Sequence, residues 1–418
     1  MPASRRSFVL AAALTALLVA SRQFPQPALM DAVTGRAPEG MRLVIPLGHL
    51  AMTPLSMLGD IAACSSGPQA ISLLFFLICL VGPFRWGVLG HGRVEWNAAL
   101  PALRAFALHS LILVAILAWG VLWPRAPARL EIDDPALMPV DFHSHTSFSW
   151  DGRGWFTPKA NLAWHGRAGF AAAFITDHNR VEGAREALRL SREAWNAGRR
   201  KETVGLSGEE LSLHDAHVLL LGGDHHADPD QYRGLEGLRR FLGDAGPVFS
   251  GLAVMSLPEY YRHHRGRLDD LADWGAAGYE IVAASPRGLA APMAFRESVV
   301  ELCRRRNLFM TGGSDNHGYG STSCVWSLVR VVDWRTLGPA ERERAVLSAL
   351  RSGGFSAVRV IARARCLEQP RSGLSAWLDA PHAFWDAMCS WTLAQALVAL
   401  AWAWGIAAVC AALGNKVT

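Results

Sequence analysis

Residues 140–146 read VDFHSHT, an apolar run that ends in two histidines one residue apart. Residues i and i+2 of a strand point to the same face, so His143 and His145 can grip one ion together. The chain continues as SFSWDG, which adds Asp151 shortly beyond the pair. In β/α barrels the chemistry lies at the carboxyl ends of the strands, where this cluster is expected. The stretch therefore predicts part of a metal site at the mouth of a barrel.

Two further apolar runs end in clusters of the same residue types. One reads FITDHN and the other FMTGGSDNH. They supply Asp177 and His178 at residues 174–179, and Asp315 and His317 at residues 309–317. Each cluster alone is also typical of surface or core histidines. Their repetition at predicted strand ends favours one shared metal centre.

A fourth segment adds carboxylates and another imidazole. Residues 208–222 read GEELSLHDAHVLLLG, with Glu210 and His217 as the candidate ligands. A glutamate can bridge two cations, and imidazole together with carboxylate suits Zn, Mn or Fe. The four segments together predict a centre that holds two or three divalent ions.

Between Pro124 and Arg371 short apolar runs alternate with amphipathic stretches. The predicted strands are Phe170–Thr176, Val204–Leu206, Val218–Leu221, Val248–Met255, Tyr279–Ala283 and Leu308–Thr311. The predicted helices are Lys159–Arg167, Glu182–Asn196, Tyr232–Leu242, Glu259–Ala276, Ala294–Arg306 and an amphipathic stretch at Glu341–Ala357. This alternation predicts an α/β fold with a parallel sheet, either a barrel or a doubly wound sheet. A glycine-rich phosphate loop follows none of the strands, which argues against nucleotide binding.

Apolar segments flank this region on both sides. The chain is 51% hydrophobic and only 18% charged. The segments are Ser7–Ala20, Leu43–Gly59, Ala70–Phe84, Ala105–Trp123 and Ala387–Asn415. We expect residues 1–125 to form a membrane region of three or four hydrophobic helices, 137–365 the barrel, and 383–415 a transmembrane helix. The lipid bilayer is thus a predicted partner.

Composition argues against several other classes of protein. The seven cysteines contain no CxxC pair, so neither a zinc ribbon nor a disulfide framework is indicated. The net charge of +5 is not concentrated in a basic stretch interleaved with aromatic residues. We therefore expect no nucleic-acid partner.

In order along the chain, the motifs resemble those of the PHP (polymerase and histidinol phosphatase) superfamily of metal-dependent phosphoesterases. The matching residues are His143-x-His145-Thr146, Ser149-x-Asp151-Gly152, Thr176-Asp177-His178-Asn179, Gly208-x-Glu210-x-Ser212, His217-Val218-Leu219 and Gly313-Ser314-Asp315-x-His317. The resemblance covers about residues 137 to 365. It implies a distorted (βα)7 barrel, here flanked by transmembrane helices, that holds up to three Zn, Mn or Fe ions.

The resemblance also assigns roles to individual residues. His143, His145, Glu210 and Asp315 would hold the first metal, Glu210 and His217 the second, and Asp151, His178 and His317 the third. A metal-activated hydroxide would attack a phosphoester or another small-molecule substrate. Asp177, together with Asp141, would orient imidazoles. Arg287 would clamp the phosphate.

One departure from the family pattern leaves alternatives open. Many relatives carry a His-Pro pair after the fifth strand, whereas this chain has Leu257-Pro258. A two-metal site, a weakly held ion or a degenerate metal-binding sensor are all compatible with that change. Hydrolysis of a carbamic or carboxylic ester is also open. A transporter role for the apolar helices is disfavoured because they contain almost no charge.

Arginines indicate on which side of the membrane the barrel lies. They surround the first apolar segment and lie between the third and fourth, at Arg5, Arg6, Arg22, Arg36, Arg42, Arg85, Arg93 and Arg104. If Ser7–Ala20 does not cross, all of them fall on one side, which the positive-inside rule makes cytoplasmic. We therefore expect a multi-pass protein of the bacterial cytoplasmic membrane with an extracytoplasmic barrel. The reverse orientation follows if that segment does cross. The sequence indicates neither the natural substrate nor an oligomeric state.

Overall fold

The computed structural model describes residues 3–86, 96–122, 125–223, 225–320, 322–371 and 373–414. These residues divide into two units, one made of residues 1–28, 45–125 and 370–418, the other of 29–44 and 126–369. The strands are β1 Leu29–Asp31, β2 Met41–Val44, β3 Arg129–Ile132, β4 Leu137–Asp141, β5 Ala172–Ile175, β6 Val204–Leu213, β7 Ala216–Leu221, β8 Leu252–Met255, β9 Gly278–Ala283, β10 Phe309–Gly313, β11 Val325–Arg330 and β12 Val358–Arg363.

Fourteen α-helices lie within the described residues. Those of the first unit are α1 Ala3–Ser21, α2 Leu47–Ala51, α3 Thr53–Ala63, α4 Gly67–Trp86, α5 Trp96–Leu122, α13 Asp379–Ser390 and α14 Leu393–Gly414. Those of the second are α6 Pro158–Ala168, α7 Glu182–Asn196, α8 Gly234–Asp244, α9 Leu257–His263, α10 Leu268–Trp274, α11 Met293–Arg306 and α12 Pro339–Gly353.

The second unit is built on a curled ten-strand sheet that forms a half-barrel. The strand order is β1-β12-β11-β4-β5-β6-β7-β8-β9-β10. Four neighbouring pairs are parallel, namely β4-β5, β5-β6, β8-β9 and β9-β10. The others are antiparallel, so the sheet is mixed and not purely parallel as the alternation of elements predicted. The α/β class is confirmed.

A tight hairpin accounts for part of this difference. The strands β6 and β7 are joined by His214 and Asp215, whose φ angles are 46° and 58°. Two consecutive positive φ values are typical of a two-residue turn that reverses the chain between antiparallel strands. There is thus no crossover helix at this point, and β7 returns beside β6 with His217 three residues beyond His214.

The edge strand β10 curls round to approach β11 and the segment after β4. The Ser327 hydroxyl, on β11, accepts a hydrogen bond from the Gly312 amide at 2.8 Å and donates one to the Gly312 carbonyl at 2.9 Å. Beyond β10, the Asp315 amide donates to the His143 carbonyl at 2.9 Å, and the His145 amide donates to the Asn316 carbonyl at 3.0 Å. The segments that follow β4 and β10 therefore run side by side.

Helices position the strands by burying one face against the sheet. The first helix after β4, α6, begins at Thr157, whose hydroxyl accepts from the Ala160 amide at 3.3 Å, and ends at Gly169 with a φ of 94°. Trp326, fully buried on β11, donates its indole N–H to the Ala168 carbonyl at 3.0 Å. This packing fixes the carboxyl end of α6 against the sheet.

Residues 29–44, which the sequence placed in the N-terminal membrane region, are part of the second unit. The strand β1 pairs antiparallel with β12, and β2 pairs with β3. The predicted apolar segment Leu43–Gly59 therefore begins in a strand and continues as the short helices α2 and α3. Its apolar residues belong to three different elements, which composition alone does not separate.

In its described residues the first unit contains helices and no β-strand. By length and apolar composition, one helical stretch there suffices to cross a bilayer, Leu393–Ala412, with a mean hydropathy of 1.9. Three apolar stretches are shorter, namely Ser7–Ser21, Gly67–Cys79 and Phe106–Gly120. The predicted segment ends Trp123 and Asn415 lie outside the described residues. The predicted C-terminal helix is interrupted between α13 and α14.

Candidate metal centre

Two buried imidazoles meet just beyond the end of β4. His143 and His145 are 1% and 0% exposed, and their Nε2 atoms lie 3.1 Å apart. Two nitrogens bound to one ion at about 2.1 Å are separated by roughly 3.0–3.4 Å, depending on geometry. The predicted pair therefore has the spacing of two ligands of one cation.

Two carboxylates complete this first position. Glu210 Oε2 lies 3.1 Å from His143 Nε2 and 3.2 Å from His145 Nε2. Asp315 Oδ1 lies 3.5 Å and 3.4 Å from the same two nitrogens. Asp315 has a φ of 48°, which turns the chain immediately after β10. Both carboxylates thus approach the same pair of imidazole nitrogens, as predicted for the ligands of one metal.

A second group lies on the other side of His145. Asp151 Oδ2 is 3.1 Å from His317 Nε2 and 3.5 Å from His178 Nε2. The rings of His145 and His317 stack with centroids 3.9 Å apart. Ser149 donates to Asp151 Oδ1 at 2.8 Å and so holds that carboxylate in place. The residues predicted for the third metal are therefore also brought together.

Glu210 is the residue that joins the groups. Its Oε1 atom lies 3.0 Å from His217 Nδ1, while its Oε2 atom lies 3.3 Å from His178 Nδ1. The carboxylate therefore contacts imidazoles on both of its oxygens. This is the arrangement needed for a carboxylate that bridges two cations.

Unsatisfied ring nitrogens provide a test of whether cations fit here. Among the described residues, the buried atoms His145 Nδ1, His178 Nδ1 and His317 Nε2 make no hydrogen bond. Two of them lie within 3.3 Å of a carboxylate oxygen without forming a hydrogen bond to it. Three overlapping sets bring their ligand atoms within 4.8 Å, namely His143/His145/Glu210, His145/His178/His317 and His178/Glu210/His217. This donor set of imidazole and carboxylate fits divalent transition metals.

The electrostatics of the cluster match such a role. Burial raises the pKa of the Glu210 carboxyl, but His143, His178 and His217 outweigh burial and hold its pKa well below the usual value. Burial lowers the pKa of His143, whereas Glu210, Asp315 and Glu280 raise it well above the usual value. Glu210 is thus a carboxylate, and it shares a dense field of negative charge that favours bound cations.

Sequence reasoning missed two buried glutamates. Glu280, on β9, is fully buried, with Oε1 3.1 Å from His143 Nδ1 and Oε2 accepting from the Leu257 amide at 3.0 Å. Glu259, on α9, has Oε2 3.7 Å from His217 Nδ1. The signal for Glu280 was a single acidic residue within the apolar run Tyr279–Ala283. Glu259 was placed on the predicted helix Glu259–Ala276, which gave no sign of its neighbours.

The remaining predicted residues lie at the edges of the cluster. Asp141 accepts from the amides of His143 and Ser314 at 3.2 Å and 3.0 Å, and its other oxygen is 2.8 Å from His165 Nε2. Asp141 therefore contacts the imidazole of His165, whereas the carboxylate beside His143 Nδ1 is that of Glu280.

Asp177 holds the loop after β4. Its carboxylate accepts from the Thr146 amide at 2.6 Å and from the Thr146 hydroxyl at 2.7 Å, and burial raises its pKa. It thus supports the backbone beyond His145 and makes no hydrogen bond to a described cluster imidazole. Arg287 is 70% exposed at the rim, 3.8 Å from Glu259 Oε1.

Comparisons with known proteins found similar folds among solved structures. No family model matches the chain, and no curated protein matches it. A protein of Bifidobacterium adolescentis provisionally named a metal-dependent phosphoesterase is 19% identical over 45% of this chain and 90% of its own, with a TM-score of 0.35.

Two further structures are similar at the same level. An amidohydrolase of Chromobacterium violaceum, with bound sulfate and no metal, is 19% identical over 43% of this chain and 87% of its own, with a TM-score of 0.30. The PsfC protein of Pseudomonas syringae is 20% identical over 51% of this chain and 96% of its own, with a TM-score of 0.34. At this level of similarity the functional conclusion rests on the site itself.

Proposed function

We propose that this chain is a metal-dependent hydrolase of the PHP type that cleaves phosphoesters. The observation that carries the proposal is the convergence of eight side chains from four separate segments of the chain on one locus, with ligand atoms 3.0–3.5 Å apart. They are His143, His145, Asp151, His178, Glu210, His217, Asp315 and His317. A group of buried carboxylates and imidazoles of this size is costly to fold unless cations compensate its charges.

The protein residues prepare the site in three ways. Glu280 accepts a hydrogen bond from His143 Nδ1–H, which leaves Nε2 as the lone-pair donor toward a cation in the cluster. Glu210 presents one oxygen to each side and so holds two positions at a defined separation. Asp151 lies between His178 and His317 and fixes the third group. Bound divalent cations would supply Lewis acidity, lowering the pKa of a water and withdrawing charge from a phosphoryl oxygen.

We also propose that strands β4 to β10 make a distorted (βα)7 barrel. The support is the pair of backbone hydrogen bonds that join the segments after β4 and β10, from Asp315 to His143 and from His145 to Asn316. Residues Ser144 and Asn316 form a parallel bridge between the same segments. The metal cluster would then lie where the barrel closes, because five of its eight side chains follow those two strands.

The same proposal includes a membrane anchor. The helix Leu393–Ala412 supports one membrane span by its length and composition, and we propose the shorter apolar helices as further spans, with residues 29–44 and 126–369 outside the bilayer. We propose that the hydrolase lies on the extracytoplasmic side, because Arg85, Arg93 and Arg104, between the third and fourth apolar segments, then face the cytoplasm as the positive-inside rule favours. Protease added to intact cells is expected to cleave the hydrolase region. A protected hydrolase region, with a reporter after Thr418 read as exported, would reverse the orientation.

The test of function is hydrolysis by the detergent-purified full chain of a panel of aryl phosphomonoesters, phosphodiesters, carboxylic esters and carbamates. We expect cleavage of a phosphoester that is lost in His143→Ala/Asp315→Ala, with the variant retaining its circular dichroism spectrum. Cleavage of carboxylic or carbamic esters alone would reassign the substrate class. Bound metal without any turnover would favour the degenerate sensor that the change at Leu257 left open.

A further inference from the structure

The second cation position lacks an imidazole where PHP relatives carry one. Leu257 begins α9, is fully buried and directs its backbone amide to Glu280 Oε2 at 3.0 Å. Its side chain has no donor atom. If the proposed function holds and His178 serves the third group, Glu210 and His217 would have to retain this cation.

Glu259, two residues further on, brings a carboxylate to the same position. Its side chain is 11% exposed, and Oε2 lies 3.7 Å from His217 Nδ1. That nitrogen is itself 3.0 Å from Glu210 Oε1. Ligand atoms that are neighbours around one ion at about 2.1 Å are separated by roughly 3.0–3.4 Å, and opposite ones by about 4.2 Å. The spacing of His217 and Glu259 falls between these limits.

The backbone around Glu259 is held to the cluster on both sides. The Ser256 amide donates to the His217 carbonyl at 2.9 Å, and the Tyr260 hydroxyl donates to the Glu280 carbonyl at 2.7 Å. The first turn of α9 is therefore tied to β7 and β9, the strands that carry two residues of the site. The backbone of Glu259 therefore cannot move away from the site without breaking these contacts.

Other candidates for the missing ligand are less suitable. His214 is exposed in the β6–β7 turn, where its carbonyl accepts from His264 Nε2 at 2.9 Å. Glu280 already holds His143 and the Leu257 amide. The contact of Glu259 with Arg287 is a loose one, at 3.8 Å to Oε1 from a guanidinium that is 70% exposed. The Oε2 atom of Glu259 thus remains directed toward His217.

We propose that Glu259 is a metal ligand that replaces the missing imidazole at the second cation position, which it shares with Glu210 and His217. The exchange of an imidazole nitrogen for a carboxylate oxygen makes the ligand set at this position harder, in the hard–soft sense of metal–ligand preference. Carboxylate-rich positions suit Mn²⁺, whereas softer donors favour Zn²⁺. We therefore assign the second position to a manganese-type cation.

The experiment counts bound Mn²⁺ on the full-length protein in detergent, after removal of metals with a chelator. Equilibrium dialysis against Mn²⁺ gives the number of ions per chain, and electron paramagnetic resonance reports coupling between neighbouring Mn²⁺ ions. We expect Glu259→Gln to lose one ion per chain, or to bind its weakest ion at least about tenfold less tightly, and to lose the coupling signal.

Two further variants make the result specific. Leu257→His in the Glu259→Gln background is expected to restore the lost ion, because it supplies a nitrogen ligand on the same turn. Glu209→Gln, which removes a buried carboxylate bonded to His226 and the Ala227 amide, is expected to leave the count unchanged. Circular dichroism of the metal-free variants verifies folding.

The outcomes separate this inference from the function on which it rests. Wild-type and Glu259→Gln chains with equal numbers of Mn²⁺ ions and equal affinities would overturn the role of Glu259 and leave the hydrolase proposal standing. A wild-type chain that binds no divalent cation would overturn both.

Discussion

Replacement of Glu280 by glutamine tests how the cluster is prepared for metal. The carboxylate of Glu280 accepts on both oxygens, from His143 Nδ1 at 3.1 Å and from the Leu257 amide at 3.0 Å. A glutamine has only one oxygen with which to accept. If the glutamine oxygen faces His143, the glutamine NH2 group faces the Leu257 N–H, and two donors then meet with no acceptor between them. With the amide flipped, NH2 faces Nδ1 and drives the imidazole proton onto Nε2, the atom directed at the cation.

The size of the effect follows from these two losses. Removal of a carboxylate that orients a ligand histidine typically weakens metal binding by about 10–100-fold. That range corresponds to about 1.4–2.8 kcal/mol of binding free energy. Because Glu280 is fully buried, no water replaces the missing acceptor, and we expect the upper half of the range.

The assay is competition for Mn²⁺ or Zn²⁺ against a chromophoric chelator, with thermal melting of the metal-free proteins measured in parallel. Glu209→Gln is a matched control, since Glu209 is 1% exposed and also holds a histidine Nδ1, at 2.6 Å, and a backbone amide, at 3.2 Å. Its histidine lies outside the cluster. Both variants should melt earlier, but only Glu280→Gln should lose affinity. An affinity for the first ion within about threefold of wild type would refute this reasoning.

Three other predictions follow from the same geometry. A Cβ at Gly313 would lie 2.4 Å from Glu280 Oε1. Gly313→Ala should therefore displace that carboxylate, weaken Mn²⁺ binding at least about tenfold and lower the melting temperature. Unchanged Mn²⁺ binding in equilibrium dialysis would contradict this contact. Burial lowers the pKa of His317, but its neighbouring carboxylates outweigh burial and raise it to about 9, so the folded metal-free chain retains this proton well above the ordinary imidazole range. A cation must displace that proton, so Mn²⁺ affinity should rise with pH up to about 9 and level off above it. Calorimetry in buffers of different ionisation enthalpy should detect proton release on Mn²⁺ binding at about pH 7.5. Identical heats in all buffers would argue against this proton release. If Arg287 clamps the phosphate, Arg287→Ala should raise KM for a phosphoester. Bound metal should stay unchanged, because this exposed side chain contacts Glu259 only loosely. An unaltered KM would exclude a phosphate clamp.

The local parts of the fold could be predicted from the sequence because they depend on local patterns. The helix predicted at Glu182–Asn196 has these bounds in α7, where buried alanines recur along one face. The strand predicted at Tyr279–Ala283 is one residue shorter than β9. By contrast, β1 has only three residues, too few to show a periodicity, and its pairing with β12 joins positions more than 300 residues apart.

The candidate site likewise divides into residues that a local pattern predicts and residues that only the tertiary structure brings in. Its eight predicted ligands were recognisable because each lies in a short cluster of donor residues at or beside a strand. Glu280 and Glu259 each lack such a neighbour in sequence, and their roles arise from the order of β7, β8 and β9 in the sheet. The predicted helix Glu259–Ala276 is in fact two helices, α9 and α10, which separate where His264 bonds to the turn at His214. Contacts of this kind depend on tertiary structure that no local pattern encodes.

The most direct test of the metal centre is the number of divalent ions per chain, measured by elemental analysis of the full-length protein purified in detergent. We predict two or more transition-metal ions in the wild type, and fewer in a folded His143→Ala/Asp315→Ala variant. A wild-type chain that contains no such ion, and takes up none from excess Mn²⁺ or Zn²⁺, would contradict the account at its centre.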